Sequence, residues 1–387
     1  MSRTATRLAP FGTTIFAEMT ALALEHDAIN LGQGFPDFEG PEALVETAVD
    51  ALRGANNQYI RSMGHPELVS AIADHLAGRY DLAFDPMTEI TVTCGATEGI
   101  TASMLGLVEP GDEVVLFEPF YDSYPAAVAM AGATPRFCTL RFPDFALDEA
   151  ALAACFGPRT KLLVLNDPHN PTGKVFDADE LDLIARLCRE HDVLVLADAV
   201  YEHLTFDDAH YVPMAGLPGM RERTLTLSSA GKTWSYTGWK VGWAYGPRDL
   251  VAAAQSAHQF LTFCTPAPMQ LAVARAMREH VDPYLDELRV DYQDRRDYLV
   301  GALESAGFEV ALPRGTYFAL AAFGALFEGD DRAFAHYLAA EHGVACIPPS
   351  VFYQAEPEAG RQLARFAFCK RQSTLAAAAE RLAGLAR

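Results

Sequence analysis

Lys232 stands in a stretch whose residue types suit covalent or acid–base chemistry. Small residues precede this lysine, aromatic residues follow it, and a second cation, Lys240, lies eight residues further on. A small-residue turn beside an aromatic cluster can hold an amine partly out of water, which lowers the pKa of the amine and lets it act as a nucleophile or a base. The same residues also fit a solvated loop with two ordinary lysines, so on their own they leave both interpretations open.

Further candidate residues follow short apolar runs that are typical of buried strands. The predicted strands of this part span 89–94, 113–117, 161–166, 192–199, 224–227 and 243–245. Thr97, Tyr121, Asn170 and Asp198 come at or just after the ends of four of them. Because ligands bind at the carboxyl edge of parallel sheets, we expect these side chains to converge there with Lys232.

Each of these positions also has a simpler structural explanation. The turn before Thr97 opens a predicted helix and could bind an anion, but it matches neither a Walker loop nor G-x-G-x-x-G. Asp198 ends a buried strand, where a carboxylate is costly unless paired, so it is either a ligand-binding group or a satisfied core aspartate or helix cap. Tyr121 either stacks on a planar ligand or packs in the core. Arg365 could be an exposed arginine at the start of a strand.

The stretch Ser229-Ala-Gly-Lys232, followed by Thr237-Gly-Trp-Lys-Val-Gly-Trp243, resembles the coenzyme-lysine motif of the class I/II aminotransferases. These are fold-type I enzymes that depend on pyridoxal phosphate (PLP). The resemblance extends over residues 30–370 and includes the Asn-Pro-Thr-Gly loop at 170–173. Within the family, the chain is most similar to the subgroup of kynurenine, glutamine and methionine aminotransferases, together with actinobacterial enzymes assigned to N-succinyl-diaminopimelate.

The resemblance implies a set of PLP-binding residues. Lys232 would be the Schiff-base lysine that binds the aldehyde of PLP and transfers protons as base and acid. Asp198 would pair with the pyridine nitrogen, and Tyr201 and Asn170 would hydrogen-bond the phenolic O3′. Tyr121 would stack on the ring, where the family usually has Trp or Phe. The phosphate would be held by groups from several segments: Ala96, Thr97, Ser229, Lys240 and, from the partner chain of a homodimer, Tyr59.

The resemblance also implies how the substrates, an L-amino acid and a 2-oxo acid, are held. Arg365 would clamp the α-carboxylate with its planar fork, assisted by the Asn170 side chain and the Gly34 backbone N–H. Amino transfer would follow a ping-pong scheme. Ala199 stands where the family commonly has Glu beside the pyridine-binding aspartate, which we interpret as a change outside the direct contacts of the cofactor. Tyr59 has a simpler alternative as a half-buried tyrosine at a helix edge.

Three other functions remain open. A same-fold PLP enzyme with another outcome, such as a C–S β-lyase or an amino-acid oxidase or cyclase of a biosynthetic pathway, would carry nearly identical motifs. A non-enzymatic regulatory domain would be expected to have an altered Lys232 or an added DNA-binding head. An α/β nucleotide-dependent oxidoreductase would be expected to carry G-x-G-x-x-G, which the chain lacks.

The amino donor is open as well, because side-chain pockets in the family draw on the N-terminal arm, here Ile15 and Phe16, and on the partner chain. The candidate donors are methionine, glutamine, an aromatic or kynurenine-like amino acid, N-succinyl-diaminopimelate and an unusual amino acid of a secondary pathway. No motif in the linear sequence separates them.

Alternating strands and helices predict an α/β fold with a mainly parallel central sheet and helices on both faces. We predict a large PLP-binding domain over 45–290 and a smaller α+β domain formed by 1–44 and 291–387. An N-terminal helix would bury a stripe of four residues: Ile15, Met19, Leu22 and Ala23. The other predicted helices span 41–54, 66–79, 95–108, 178–190, 248–263, 331–342 and 373–386. A long helical tract is also predicted after the prolines at 266 and 268, and it continues to 303. Strands of the smaller domain are predicted over 308–312, 316–323 and 365–370.

Composition restricts the partners and the location. The 387 residues include 30 Lys plus Arg and 51 Asp plus Glu, which gives a formal net charge of −21. Nucleic acids and anionic membranes bind basic surfaces, so we expect neither as a partner. The seven cysteines are scattered without a C-x-x-C pair, and no apolar run approaches about 18 residues. We therefore expect a cytoplasmic protein without a disulfide framework, metal site, signal peptide or membrane span.

Overall fold

The structure, a computed structural model, describes residues 4–279 and 281–385. The strands are β1 (Ile29–Asn30), β2 (Ile90–Thr93), β3 (Glu113–Glu118), β4 (Thr134–Thr139), β5 (Thr160–Asn166), β6 (Leu194–Asp198), β7 (Thr224–Ser229), β8 (Gly242–Tyr245), β9 (Glu309–Ala311), β10 (Phe318–Ala322), β11 (Val344–Ala345) and β12 (Leu363–Ala367). The α-helices are α1 (Ile15–Glu25), α2 (Glu42–Arg53), α3 (Pro66–Tyr80), α4 (Ala96–Leu107), α5 (Ser123–Ala131), α6 (Glu149–Ala153), α7 (Ala178–Glu190), α8 (Ala230–Thr233), α9 (Arg248–Leu261), α10 (Ala267–Glu279), α11 (Val281–Ser305), α12 (Asp331–His342) and α13 (Gln372–Leu382).

The largest sheet has seven strands in the order β2-β8-β7-β6-β5-β3-β4. Strand β8 runs antiparallel to both neighbours and the other pairs are parallel, so the predicted mainly parallel sheet is confirmed. Alternate residues of each strand face opposite sides. Val114 and Leu116 of β3 pack with α4, α5 and α9, whereas Val115 and Phe117 pack with α7 on the other face. The sheet is therefore buried on both faces, which explains its nearly continuous apolar strands.

A smaller set of elements lies at both ends of the chain. Strands β12, β10 and β9 form an antiparallel sheet, β1 pairs with β11 in parallel, and α1, α11, α12 and α13 pack around them in one apolar cluster. The predicted stripe of α1 is buried: Ile15, Met19, Leu22 and Ala23. The domain boundaries at 44/45 and 290/291 remain a prediction, and α11 continues through the second of them.

Some predicted elements differ from the structure. Helix is described on both sides of residue 280, which lies outside the described residues, so the predicted continuity of the tract up to 303 is not tested there; the helix predicted over 373–386 ends at Leu382, with residue 386 also outside the described residues. Sequence reasoning missed α5, α6 and β4. Strand β4 lies at the sheet edge, contains Pro135 and is partly exposed, so it lacks an apolar run. Helix α5 is apolar on most sides because it is largely buried, so it lacks an amphipathic period.

The cysteines and the lack of long apolar runs were the features from which the location was predicted. All seven cysteines are free thiols, and most of them are buried. Within residues 4–279 and 281–385, no helix is both long and apolar enough to cross a bilayer. In the same ranges, no cluster of three or more His, Cys, Asp or Glu side chains could hold a metal ion.

Candidate active site

A cavity at the carboxyl edge of the seven-stranded sheet encloses about 970 Å³, including its open mouth. Segments after β2, β3, β5, β6 and β7 form most of its wall, and β12 of the smaller sheet completes it. All the predicted site residues except Tyr59 line this cavity: Gly34, Ala96, Thr97, Tyr121, Asn170, Asp198, Tyr201, Ser229, Lys232, Lys240 and Arg365. The structure therefore brings the strand-end residues together in one cavity, as expected.

Lys232 lies on the single-turn helix α8, which begins directly after β7. Ser229 caps this turn by accepting a hydrogen bond from the backbone N–H of Gly231 at 3.2 Å. The Lys232 Nζ atom donates to the hydroxyl of Tyr317 at 2.8 Å and lies 5.5 Å from the centroid of the Tyr201 ring. Burial lowers the pKa of the Lys232 amine to about 8. A larger fraction of this amine is therefore neutral and nucleophilic near neutral pH than in an ordinary lysine.

Asp198 ends β6 and is 3% exposed, with both carboxylate oxygens hydrogen-bonded. The Tyr124 hydroxyl donates to Oδ2 at 2.7 Å, and the backbone N–H of Val200 donates to Oδ1 at 3.3 Å. Burial raises the pKa of Asp198, and the hydrogen bond from Tyr124 opposes that rise. Ala199 is buried beside it and brings no second carboxylate. The arrangement keeps one supported carboxylate facing the cavity, where a cationic ring nitrogen would be a suitable partner.

Asn166, which also lines the cavity, connects the end of β6 to the loop after β5. Its Nδ2 donates to the backbone oxygen of Asp198 at 2.9 Å, and its Oδ1 accepts from the backbone N–H of Asn170 at 2.8 Å. The positions of Asp198 and Asn170 are thus coupled through one buried amide. Sequence reasoning missed Asn166, because a single asparagine at the end of a strand reads as an ordinary turn residue.

The turn between β2 and α4 forms an anion-binding cradle. Gly95 has a positive φ of 77°, and the first residues of α4, Ala96 and Thr97, line the cavity. The first backbone N–H groups of a helix have no intrahelical partner and attract anions. A Cβ added to Gly95 would come within 3.0 Å of Nζ of Lys240, so glycine lets this cation approach the helix end. With the Ser229 hydroxyl, these groups suit a phosphate.

Arg365 lies on β12 and is only 1% exposed, so the alternative of an exposed arginine at the start of a strand is wrong. Its Nη1 donates to Asn170 Oδ1 at 3.2 Å and its Nη2 donates to the Gly32 backbone oxygen at 2.9 Å. The guanidinium lies 4.2 Å from the centroid of the Phe318 ring. Burial lowers the pKa of Arg365 to about 10, so the group stays charged at neutral pH.

Among the described residues, the buried Nε of Arg365 has no hydrogen-bond partner. A buried cation with an unused donor is costly and is expected to receive a carboxylate or a similar anion. Together with the supported Asp198 carboxylate and the anion-binding cradle, the buried charge of Arg365 suits the cavity to a planar cationic ring that carries a phosphate and to a second ligand that carries a carboxylate.

Gly34 belongs to the loop 30–38, which lines the cavity with Gln33, Gly34 and Phe35. The Asn30 side chain shapes this loop by accepting hydrogen bonds from the backbone N–H groups of Gly32 and Gln33. A Cβ added to Gly34 would lie 2.5 Å from the Phe318 ring, so a larger residue does not fit there without a shift. Of the two residues named for the side-chain pocket, Phe16 lines the cavity, whereas Ile15 is buried in the core of the smaller elements.

Tyr59 lies away from the cavity within one chain. Its side chain is 83% exposed and packs edge-to-face against Phe263, with ring centroids 5.2 Å apart. Tyr59 lines a separate groove near the start of α10. A contribution of Tyr59 to a phosphate site therefore requires a second copy of the chain.

Two tyrosines that the sequence analysis did not single out also belong to the site. Tyr124 supports Asp198, and Tyr317 contacts Lys232. Each stands in an apolar stretch where a buried aromatic residue is the ordinary interpretation. No local signal separates them from core tyrosines, so only the contacts identify them.

Comparison with known proteins gives consistent results. The family model "Aminotransferase class I and II" matches residues 26–382. The chain is 47% identical to the probable N-succinyldiaminopimelate aminotransferase DapC of Mycobacterium tuberculosis, over 99% of this chain and 98% of the relative. It is 42% identical to the methionine aminotransferase of Escherichia coli K12, over 97% of each chain. The solved structure of the M. tuberculosis N-succinyldiaminopimelate aminotransferase superposes with a TM-score of 0.96, at 47% identity, covering 99% of this chain and 100% of the other.

The chain belongs to the class I and II aminotransferases. It is a PLP-dependent enzyme that transfers an amino group between an amino acid and a 2-oxo acid, as the sequence motifs predicted. The parallel sheet, the helices on both faces and the smaller α+β part are the fold of this family.

Proposed function

We propose that Lys232 is the Schiff-base lysine of this enzyme and that the cavity around it holds PLP. The observation that carries the proposal is the meeting of a lysine of lowered pKa, a buried carboxylate and an anion cradle in one cavity. When bound, PLP supplies an aldehyde for the amine and a cationic ring that accepts electrons from the substrate Cα. The residues of the chain would bind and orient the ring and the substrate, and they would move protons beside the ring.

The ring would be held between the central strands and Tyr121. Asp198 would keep the ring nitrogen protonated, and the Tyr124 hydroxyl would hold the Asp198 carboxylate in place by its hydrogen bond to Oδ2. Asn170 and Tyr201 both line the cavity and would donate to O3′. Asn166 couples Asn170 to the strand that carries Asp198. The contacts to the ring nitrogen and to O3′ would therefore be positioned by the same two buried hydrogen bonds.

The phosphate would lie at the N-terminus of α4, beside Lys240. Replacing Lys240 with glutamine should weaken PLP binding by about 10- to 100-fold, because a hydrogen bond to a charged group is lost. Titration of the cofactor-free protein with PLP, followed by absorbance, measures this change. Lys161→Gln, at an exposed lysine of β5, is the matched control and should leave the affinity unchanged. Equal affinities in the two variants would contradict the placement of the phosphate.

The substrate α-carboxylate would bind Arg365, assisted by Asn170 and the Gly34 backbone. The buried charge of Arg365 at the cavity wall supports this role, since a carboxylate would pair with it. Fixing the carboxylate orients the Cα–H bond toward the face from which Lys232 can remove the proton. The Lys232 amine, once released, would act first as base and then as acid, and the donor and acceptor would react in turn by a ping-pong scheme.

The amino donor is proposed to carry an uncharged side chain, of the methionine, glutamine, aromatic or kynurenine type. The uncharged residues that line the cavity include Phe16, Gln33, Phe35 and Phe318. The cationic residues that line it are Lys232, Lys240 and Arg365, and in this proposal they would bind the aldehyde, the phosphate and the α-carboxylate respectively. A second candidate donor is N-succinyl-diaminopimelate, which the 47% identity to the M. tuberculosis relative favours; its distal carboxylate would need a cation from a partner chain.

A donor screen against 2-oxoglutarate and pyruvate, read by mass spectrometry, tests this proposal. We expect stoichiometric formation of the new amino acid and of the donor's 2-oxo acid, with the uncharged donors preferred. Release of ammonia or uptake of oxygen would instead indicate a β-lyase or oxidase outcome on the same fold. Preference for N-succinyl-diaminopimelate over the uncharged donors would favour the second candidate.

A homodimer in a reducing cytoplasm is part of the same proposal. The free thiols support the location. Tyr59 and the neighbouring Phe260 and Phe263 are 83%, 87% and 46% exposed in one chain, and such aromatic side chains are suited to contact a second copy. In the dimer, Tyr59 would reach the phosphate of the partner's PLP.

Replacing Tyr59 with phenylalanine should then weaken PLP binding by about fivefold to tenfold without dissociating the dimer, because one hydrogen bond is lost and the ring is kept. PLP titration measures the affinity, and light scattering measures the mass of the particle. Tyr298→Phe, at a partly exposed tyrosine of α11, is the control. A monomeric wild-type protein with full PLP affinity would exclude the cross-chain role.

A further inference from the structure

Tyr317 stands between the active-site lysine and the loop 30–38. Its hydroxyl accepts a hydrogen bond from Lys232 Nζ at 2.8 Å and donates to the backbone oxygen of Gly34 at 2.7 Å. The side chain is fully buried. One phenol thus joins the amine proposed to capture PLP to the loop proposed to hold the substrate carboxylate.

The direction of these two hydrogen bonds follows from the chemistry of the groups. A carbonyl oxygen can only accept, so the single phenolic proton of Tyr317 is committed to Gly34. Burial raises the pKa of Tyr317 well above its ordinary value, so the phenol keeps this proton. The phenolic oxygen can then only accept from Lys232. A neutral amine that donates one N–H in this way keeps its lone pair free for an electrophile.

The position of Tyr317 is tightly held. Its ring packs edge-to-face on Tyr201 at 5.2 Å and is stacked on Tyr292 at 6.0 Å. The preceding residue, Thr316, has a φ of +64°, a conformation that is strained for a β-branched residue. Such strain persists where the surroundings over-determine it, and it clusters at functional sites. Here the strained residue directly precedes the tyrosine that contacts the amine.

We propose that Tyr317 is a positioning residue that holds the free Lys232 amine as a hydrogen-bond donor, with its lone pair available, and couples the amine to the Gly34 loop. This inference rests on the proposed function, since it concerns the amine that would capture PLP and would later take the Cα proton. Tyr317 itself stays protonated and does not exchange protons with the substrate.

The test compares Tyr317→Phe with the wild type in the cofactor-free enzyme. The rate at which PLP is captured is followed by absorbance as a function of pH. In the wild type this rate should rise with pH and level off above about pH 8, because only the neutral amine reacts. Other charged or titratable groups that act on this amine are unchanged in the variant: Asp198, Lys240, Arg365 and Cys369.

In Tyr317→Phe the midpoint should move down by about 0.5 to 1 pH unit, because the phenol oxygen stabilises the ammonium form more than the neutral one. The limiting rate at high pH should fall about tenfold, because the amine is no longer oriented. In the loaded enzyme, kcat should fall by a similar factor while KM changes little, since the carboxylate contacts are kept.

Tyr292→Phe is the matched control, because it removes a phenol hydroxyl from the same buried aromatic cluster. Its capture profile should coincide with that of the wild type. Binding of deoxypyridoxine phosphate, which lacks the aldehyde, should be the same in all three proteins, because that ligand does not need the amine.

The outcomes separate this inference from the function on which it rests. If the wild type captures no PLP through Lys232, the proposed function fails. If the wild type captures PLP and Tyr317→Phe has the same midpoint and limiting rate, the positioning role is excluded. If Tyr317→Phe no longer binds deoxypyridoxine phosphate, the hydroxyl maintains the fold of the site and the proposal is overturned as well.

Discussion

Replacing Lys232 with alanine should lower kcat by about 10⁴-fold, the upper end of what a positioned proton-transfer group contributes. The variant loses both the amine that binds the aldehyde and the base that removes the Cα proton. Borohydride reduction of the wild-type enzyme should fix PLP on the peptide that contains residue 232, and mass spectrometry should find no such adduct in the variant. PLP can still occupy the site through its phosphate, so the variant should bind it more weakly but not lose it.

Lys161→Ala is the control for that experiment, because this exposed lysine is the second residue of β5 and is not among the residues that line the cavity. It should keep both the activity and the adduct. A Lys232→Ala enzyme that turns over at the wild-type rate would exclude the assignment. So would a borohydride-reducible adduct that persists unchanged at the same site.

Replacing Arg365 with alanine should lower kcat/KM by about 10²- to 10³-fold, because losing one partner of a buried charge pair costs about 2–5 kcal/mol. The loss should be nearly uniform across amino donors and 2-oxo acceptors, since all of them carry the α-carboxylate. Arg365→Lys keeps the charge without the planar fork and should recover only part of the loss. Steady-state kinetics with several donors and acceptors measures both variants.

Arg361→Ala is the matched control, because this exposed arginine precedes β12 and forms an ion pair with its neighbour Glu358 on the surface. Its kinetics should equal those of the wild type. A donor-selective effect of Arg365→Ala would instead place Arg365 in the side-chain pocket and contradict its role as the carboxylate clamp.

The part of the site that could be predicted from the sequence is the part formed by strand ends. Thr97, Asp198 and Ser229 directly follow or end apolar runs, and the carboxyl edge of a parallel sheet brings such positions together whatever the loops do. Asn170 and Lys232 were recognised because they stand in short motifs next to those strands. Local pattern was therefore sufficient to predict that these positions meet at one edge of the sheet, whereas their roles toward the cofactor were implied only by the family resemblance.

The remaining part depends on contacts between distant segments. Tyr317 directly precedes β10 and Arg365 lies on β12 of the smaller antiparallel sheet, and nothing in the spacing of their neighbours indicates that Tyr317 contacts Lys232 or that Arg365 lines the same cavity. Arg365 looked equally compatible with an exposed position, since an arginine in an alternating strand is usually solvated. Strand β4 and helix α5 were missed because edge exposure and near-complete burial erase the periodic patterns on which such predictions depend.

The hydrogen bonds of Arg365 also bear on the order in which the enzyme assembles. They connect its guanidinium to Gly32 and Asn170, which are 333 and 195 residues away along the chain. Contacts between such remote segments form late, after the intervening chain has collapsed. During synthesis, the strands that would cradle the cofactor are complete long before β12 leaves the ribosome. A nascent chain would therefore form the phosphate site well before it could bind the carboxylate of an amino acid. Catalysis would begin only after β12 has paired with β10.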